Sequence, residues 1–314
     1  MHLPKLKPMA AKKYMIVGLG EILWDLFPAG RQMGGAPANF AYISTLLGNR
    51  GVAASRLGQD DLGRAALERM QQLGIETAFL QQDVLHPTGT VYVTVDAAGQ
   101  PGFEIAESVA WDFLEWTSQW RELAASADAV CFGSLAQRSP QSRSTIQNFL
   151  NATQPDCLRV FDVNLRQNFY SPAILSESLK LATIVKMNHE ELPKITRLLD
   201  LDQKAGTSSD EAAARVLLEA YGLRLICVTR GCDGSILIDP NTLDVHSGFQ
   251  VKVADTVGAG DAFTAALVNQ CLNGASLAQM NEVANHIGAW VASENGATPA
   301  PGPGGIESIL ARAS

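Results

Sequence analysis

The nine residues from Asp255 to Phe263, DTVGAGDAF, join a glycine turn to an apolar stretch. The residues that follow, 262–272, have the composition of a buried helix, and Gly274 is a typical helix end. The first turn of a helix presents unpaired N–H groups and a positive dipole end, and small residues let an anion approach them. The stretch therefore predicts an anion-binding helix N-terminus at Gly258, Ala259 and Gly260.

Asp261 lies at the same helix end, where a carboxylate would repel a phosphate. An aspartate is explained there if it accepts the proton of a hydroxyl group that attacks phosphorus. The alternative is an aspartate that caps the helix after a glycine turn, which is common. The nine residues alone leave both interpretations open.

Composition limits the classes of partner. The chain has 314 residues, 46% of them apolar, which suits one large α/β domain with at most a small accessory piece. The net charge of −8 and the lack of a basic run argue against nucleic acid or an anionic membrane as main partner. The five cysteines show no CxxC spacing, and no apolar run is as long as a membrane span. We expect a cytoplasmic protein, with residues 1–12 as a leader.

Apolar strands alternate with amphipathic helices along most of the chain, which predicts a mostly parallel sheet with helices on both faces. The predicted strands are 14–20, 52–57, 129–133, 158–164, 184–187 and 223–229, and the predicted helices are 38–47, 62–73, 141–150, 173–181, 189–199 and 210–221.

One stretch breaks this alternation. Residues 90–96 alternate strictly between apolar and polar, and a turn at 97–100 leads to a second short strand at 103–105. This pattern predicts a β-hairpin with one polar face. It is a candidate lid or dimer surface, or a plain surface hairpin. We expect an α/β domain over 13–88 and 107–314, with residues 89–106 and neighbouring strands forming the lid.

Two common nucleotide motifs are excluded or disfavoured. The chain contains no GxxxxGK[ST] sequence, which excludes a P-loop kinase. Gly18 and Gly20 begin a GxGxxG pattern, but Leu23 replaces its third glycine, which disfavours a dinucleotide site.

DTVGAGDAF, together with GGAPAN at 34–39, resembles the signatures of the ribokinase-like (PfkB) sugar kinases, and the resemblance extends over residues 14–301. It implies a three-layer α/β fold with a small β lid and ATP-dependent phosphorylation of a primary sugar hydroxyl, with Mg²⁺. Asp261 would be the general base, and the Gly258–Gly260 backbone with Arg166 would stabilise the developing charge. The stretches GEILWDLFP, GGAPANFA, SVAWDF, GSLAQRS and FDVNLRQNFY are most similar to bacterial fructokinases, which implies fructose as the sugar.

The resemblance also implies which residues bind the sugar. They are Asp25, Gly34, Gly35, Asn39, Arg138 and Asn164, together with Asp261. Arg138 stands where ribokinases carry an acidic sugar contact, which argues against ribose and admits a sugar acid such as 2-keto-3-deoxygluconate. The sequence also admits a nucleoside kinase of the same fold or an inactive sugar-sensing homologue.

The implied nucleotide and metal residues come from the second half of the chain. Those for ATP are Asn188, Thr229, Gly231, Gly234, Gly258, Gly260 and Asn285. Glu191 would order Mg²⁺ through water, or serve only in a helix cap. Asp255, Val257 and Gly296 would form a K⁺ site, although Ala300 replaces a serine that some ribokinases have. The free edge of the hairpin implies a homodimer through the lid.

Overall fold

The computed structural model describes residues 13–28, 30–95, 101–202 and 209–311. Its centre is a sheet of eight strands in the order β14-β13-β12-β11-β10-β9-β1-β4. The strands from β4 to β12 in this order are parallel, and β13 and β14 are antiparallel additions. Their bounds are β1 Met15–Leu19, β4 Arg50–Ala54, β9 Ala129–Phe132, β10 Leu158–Asp162, β11 Ile184–Asn188, β12 Leu225–Thr229, β13 Ser235–Ile238 and β14 Leu243–His246.

Helices cover both faces of this sheet, because its strands are apolar on both sides. Ile16 of β1 packs into one core and Val17 into the other. The helices beside Ile16 are α1 Ala36–Leu46, α2 Asp61–Gln72, α8 Ala259–Leu272, α9 Leu277–Ala292 and α10 Gly305–Leu310. Those beside Val17 are α3 Ser118–Ser126, α4 Pro140–Asn151, α5 Pro172–Leu181, α6 Glu191–Leu198 and α7 Asp210–Tyr221. The predicted three-layer fold is confirmed.

A second sheet of four strands lies beside the core, and we call it the lid sheet. Its order is β3-β2-β7-β8, with β2 Leu23–Phe27, β3 Gly30–Gly34, β7 Gly89–Val95 and β8 Pro101–Ile105. The predicted hairpin is confirmed as the antiparallel pair β7–β8, while its turn at 96–100 lies outside the described residues. Strands β2 and β3 were not predicted, and β2 pairs in parallel with β7.

Other differences from the sequence prediction are local. The predicted strand 52–57 is two elements, β4 and the short β5 Arg56–Gly58, which pairs with β6 Gln81–Asp83. Helix α3 and strands β13 and β14 were missed. Among the described residues, no helix is long and apolar enough to cross a membrane.

Candidate active site

The glycine turn and the start of α8 form the centre of the site. Helix α8 begins at Ala259, and Gly258 is its N-cap residue with φ of +78°. A Cβ atom at position 258 would lie 2.5 Å from the Cβ of Ala297, so both the backbone angle and the packing require glycine. Asp261 stands inside the first turn and not at the cap. The interpretation of Asp261 as an N-cap is therefore wrong.

The carboxylate of Asp261 is held by α1. Asn39 Nδ2 donates a hydrogen bond of 2.8 Å to Asp261 Oδ2. Burial and the nearby carboxylate of Asp162 raise the pKa of Asp261 to about 6, against the hydrogen bond from Asn39 and the charges of Lys186 and Arg166. Asp261 is thus mostly ionised at neutral pH and more basic than an ordinary aspartate.

A buried ion pair lies behind this helix end. Lys186 Nζ of β11 is 3.0 Å from Asp162 Oδ1 of β10, and Thr264 Oγ1 of α8 donates to Asp162 Oδ2 at 2.8 Å. Although burial opposes its charge, Asp162 and further carboxylates raise the pKa of Lys186. A Cβ atom on Gly260 would lie 2.9 Å from Lys186 Nζ. A positive charge therefore stands directly behind the backbone that is predicted to hold an anion.

The predicted sugar residues of the N-terminal segment meet where the lid sheet joins the core. A Cβ atom on Gly34 would lie 2.5 Å from Asp25 Oδ2, and one on Gly35 would lie 2.5 Å from the carbonyl oxygen of Glu21. Burial is the main cause that raises the pKa of Asp25 to about 6. Asn39, a predicted sugar residue of the same segment, joins these residues to Asp261 through its hydrogen bond to the Asp261 carboxylate.

Arg166 and Asn164 follow the end of β10. Asn164 has φ of +44°, and its carbonyl oxygen accepts a hydrogen bond from Ser134 Oγ at 3.1 Å. The exposed guanidinium of Arg166 donates to the Leu165 carbonyl oxygen at 3.2 Å and to Asn164 Oδ1 at 3.5 Å. Within the described ranges it has no ion pair with a carboxylate, so its charge is available to an anion.

Arg138 is placed differently from the sequence prediction of a direct sugar contact. Its Nε and Nη2 donate to the two carboxylate oxygens of Asp112, each at 2.8 Å, and Nη2 donates to the Ala106 carbonyl oxygen at 2.6 Å. The guanidinium also lies over Trp111, 4.0 Å from the ring centroid. Most of its hydrogen-bonding capacity therefore joins the core to the residue after β8, and Nη1 alone is left for a ligand.

Four of the predicted ATP residues lie at or near the end of β12 and in α9. Thr229 ends β12, Gly231 and Gly234 follow it, and a Cβ atom on Gly234 would lie 2.1 Å from the His246 carbonyl oxygen. Asn285, in contrast, is buried, and its Nδ2 donates to Ser235 Oγ at 2.8 Å and Asn281 Oδ1 at 2.9 Å. The structure uses its amide to join α9 to β13, and the contact of Asn285 with ATP stays a prediction.

Asn188 and Glu191 form the start of α6. Asn188 Oδ1 accepts hydrogen bonds from the backbone of Glu190 and Glu191, at 2.9 and 2.8 Å. Glu191 is buried, and its two carboxylate oxygens accept the N–H groups of Leu165 and Asn188 at 2.8 and 2.9 Å. The N-cap residue of α6 is Glu190, and the Mg²⁺ role of Glu191 stays a prediction. These contacts also fix the Glu191 carboxylate between the ends of β10 and β11.

The comparisons with known proteins agree with this geometry. The family description "pfkB family carbohydrate kinase" matches residues 29–302. The chain belongs to this family. This pfkB-family chain is 32% identical over 263 residues to a fructokinase of Salmonella typhimurium, covering 80% of this chain and 82% of the relative. The predicted phosphotransferase activity on a carbohydrate is thereby confirmed.

Solved structures of relatives share the fold over almost the whole length. A fructokinase from Vibrio cholerae O395, solved with fructose, ADP and calcium ion, has a TM-score of 0.79 at 26% identity, covering 96% of this chain and 99% of that one. An uncharacterized sugar kinase from Pyrococcus horikoshii, solved in complex with ATP, has a TM-score of 0.75 at 28% identity, covering 90% and 94%.

The metal predictions for this pfkB-family kinase rest on few protein ligands. The described residues contain no group of three His, Cys, Asp or Glu side chains that could hold a metal ion. This suits Mg²⁺, which keeps several waters and binds substrate phosphates with only one or two carboxylates. Asp255 accepts the N–H groups of Val257 at 3.0 Å and Gly296 at 3.2 Å, so the predicted K⁺ residues are adjacent.

Sequence reasoning missed Glu21, which follows β1. The side chain is buried, with the residue only 5% exposed, and Oε2 has no hydrogen-bond partner in the described part of the chain. Burial is the main cause that raises its pKa to about 7, with Arg166 and Arg138 opposing and Asp261 reinforcing the rise. The available signal was an acidic residue directly after a buried strand, at the carboxyl edge of the predicted sheet.

Proposed function

We propose that this sugar kinase transfers the γ-phosphoryl group of ATP to a primary hydroxyl of fructose, with Asp261 as general base. The observation that carries the proposal is the Asp261 carboxylate, held by Asn39 inside the first turn of α8, next to a helix end backed by Lys186. A base and an anion-binding backbone within one helical turn fit a hydroxyl that attacks a phosphoryl group.

Each part of the site has one task in this mechanism. Asp261 takes the hydroxyl proton, and its pKa of about 6 leaves it ionised at neutral pH yet able to hold a proton. The N–H groups at Gly258, Ala259 and Gly260 bind the oxygens on which negative charge develops. Arg166 binds the same charge from the β10 side.

The cofactors follow from the residues present and from the relatives. The P. horikoshii kinase structure contains ATP, and the V. cholerae fructokinase structure contains ADP and a calcium ion. Thr229, Gly231 and Gly234 would bind the nucleotide after β12, and Glu191 would hold Mg²⁺ through water. When bound, the metal ion neutralises charge on the phosphates. Asp255, Val257 and Gly296 remain the proposed K⁺ site.

Fructose is preferred over a sugar acid for a physical reason besides the named fructokinases. Binding a carboxylate would need a cationic side chain near the sugar residues besides Arg166, whose charge this mechanism assigns to the transferred phosphoryl group. Arg138 was the candidate, but its charge is balanced by the bidentate contact with Asp112. The site therefore offers less to 2-keto-3-deoxygluconate than the sequence suggested.

The test is ADP release with ATP and Mg²⁺ across fructose, ribose, 2-keto-3-deoxygluconate, glucose and adenosine. Asp261→Asn should lower kcat on the preferred sugar by about 10²–10⁴-fold, the usual contribution of a general base. Asp61→Asn is a matched control, because Asp61 also stands in the first turn of a helix but its side chain is 91% exposed. A sugar other than fructose as best substrate would refute the substrate, and full activity of Asp261→Asn would refute the base.

The lid sheet supports a proposal of a homodimer. Phe27 of β2 and Tyr92 of β7 are 37% and 50% exposed on adjacent strands, so this small sheet presents apolar side chains to solvent. Light scattering should give the mass of a dimer for the wild type and of a monomer for Tyr92→Lys. A monomeric wild type would refute the dimer. The cytoplasmic location stays a prediction.

A further inference from the structure

Four buried polar atoms around the junction of the core and the lid sheet have no hydrogen-bond partner among the residues that the structure describes. Two are acceptors, Glu21 Oε2 and Asn39 Oδ1, and two are donors, Arg138 Nη1 and Trp111 Nε1. Buried polar atoms are nearly always paired in folded proteins, because an unpaired one has lost its hydrogen bonds to water without a replacement. Several in one region indicate that a polar ligand belongs there.

Contacts place these four side chains in one neighbourhood. Asn39 donates to Asp261, and the charges of Asp261, Arg166 and Arg138 all act on Glu21. The carbonyl oxygen of Glu21 packs beneath Gly35. Trp111 lies under the guanidinium of Arg138, and a Cβ atom on Gly89 of β7 would lie 2.2 Å from its Nε1.

The mixture of donors and acceptors indicates the chemistry of the ligand. A hydroxyl group both donates and accepts hydrogen bonds, so a polyol matches this mixture of donors and acceptors. A carboxylate group only accepts hydrogen bonds, so a carboxylate placed beside Asn39 Oδ1 would leave that acceptor unpaired, whereas a hydroxyl group would donate to it.

We propose that Glu21 is a sugar-binding residue whose Oε2 pairs with a hydroxyl of the substrate, and that it selects neutral polyols against sugar acids. This inference rests on the proposed function, since it assumes that the site around Asp261 receives a sugar. It assigns to Glu21 a part in specificity that is separate from the proton transfer at Asp261.

The experiment uses Glu21→Gln, which keeps the shape, and Glu21→Leu, which removes both polar atoms. Sugar binding is measured without ATP, as the thermal shift produced by fructose and by 2-keto-3-deoxygluconate, and kcat and KM follow with ATP present. Glu104→Gln is the control, because Glu104 is an exposed glutamate of the lid sheet.

We expect Glu21→Leu to lose the fructose-induced shift and to raise the KM for fructose at least about tenfold, with the KM for ATP unchanged. The melting temperature without sugar should not fall, since the substitution removes Oε2, a buried polar atom that has no hydrogen-bond partner among the described residues. A merely structural role would give the reverse, a lower melting temperature with unchanged fructose binding, and would overturn the proposal.

Two further outcomes separate this inference from the proposed function. If the wild type binds fructose through Glu21 but releases no ADP, the proposed phosphoryl transfer to fructose fails and the role of Glu21 stands. If the wild type prefers 2-keto-3-deoxygluconate, or if both Glu21 variants bind fructose as the wild type does, the inference fails whatever the turnover.

Discussion

Replacing Glu21 by Gln should stabilise the ligand-free protein strongly at pH 8 and only weakly at pH 5. Burial raises the pKa of Glu21 from 4.5 to about 7, so folding disfavours the ionised form. The difference amounts to about 3 kcal/mol, at about 1.36 kcal/mol for each pKa unit. Little solvent screening reduces it, because the residue is only 5% exposed.

The direction in which this stability difference changes with pH depends on whether the folded or the unfolded chain keeps the proton on Glu21. Below pH 4.5 Glu21 is protonated in both the folded and the unfolded chain, and its ionisation costs nothing. As the pH rises from 4.5 to 7, the unfolded chain loses the proton first, so the wild type loses stability relative to the variant. The expected gain of Glu21→Gln is about 3 kcal/mol at pH 8 and below about 1 kcal/mol at pH 5.

Urea denaturation of both proteins at pH 5, 6, 7 and 8 measures this gain. Glutamine has a burial cost of its own, but this cost is the same at every pH, so the change between pH 5 and pH 8 is the decisive quantity. Glu219→Gln, on the exposed surface of α7, should show no such change. A gain that is equal at both pH values, or that decreases towards pH 8, would refute the reasoning.

Three further predictions concern the site and its support. The kcat/KM for the sugar should rise with pH around a midpoint near 6, because the pKa of Asp261 is raised to about 6 and the ionised form is the base. A profile of kcat/KM from pH 5 to 8 measures this rise. Gly258→Ala should lower both kcat and the unfolding free energy, the latter by about 1–3 kcal/mol, as seen by turnover and urea denaturation. Arg138→Met should lower the unfolding free energy by about 3–5 kcal/mol, because it leaves the buried carboxylate of Asp112 without its partner.

Matched controls separate these effects from general damage. Gly274→Ala tests the backbone alone, since Gly274 has φ of +72° with no atom within 4 Å of an added Cβ, and it should cost about 1–2 kcal/mol without loss of kcat. Arg50→Met removes an exposed ion pair with Glu76 and should cost less than about 1 kcal/mol. Equal losses of unfolding free energy in Gly258→Ala and Gly274→Ala, or in Arg138→Met and Arg50→Met, would contradict the prediction for that pair. A kcat/KM that does not change between pH 5 and pH 8 would contradict the prediction for Asp261.

The sequence predicted the parts of the fold that depend on local pattern. The apolar strands and the amphipathic helices such as α7 depend on side-chain periodicity, which a single sequence shows directly. Strand β3, with the sequence GRQMG, lacks β-branched and aromatic residues and exists because it pairs with β2. No local signal identifies a strand of this kind.

The site shows the same division. Position in a motif correctly predicted the helix start at the glycines, because that geometry is local. The sequence did not show the protein partners of Arg138 and Asn285, because Asp112 and Ser235 lie 26 and 50 residues away along the chain. Glu21 was missed because its significance comes from the absence of a partner, which only the folded arrangement reveals.

The mixed pairing of the lid sheet has a consequence for engineering. Strands β2 and β3 come from the segment that directly follows β1, whereas β7 and β8 come from 89–105, and the parallel contact between β2 and β7 joins the two segments. The lid sheet is therefore built from two separate segments, and it cannot be removed or exchanged between homologues as one continuous piece. A chimera that swaps 89–105 alone must keep the register of Leu23 opposite Gly89, or it creates two half-sheets with unmatched edges.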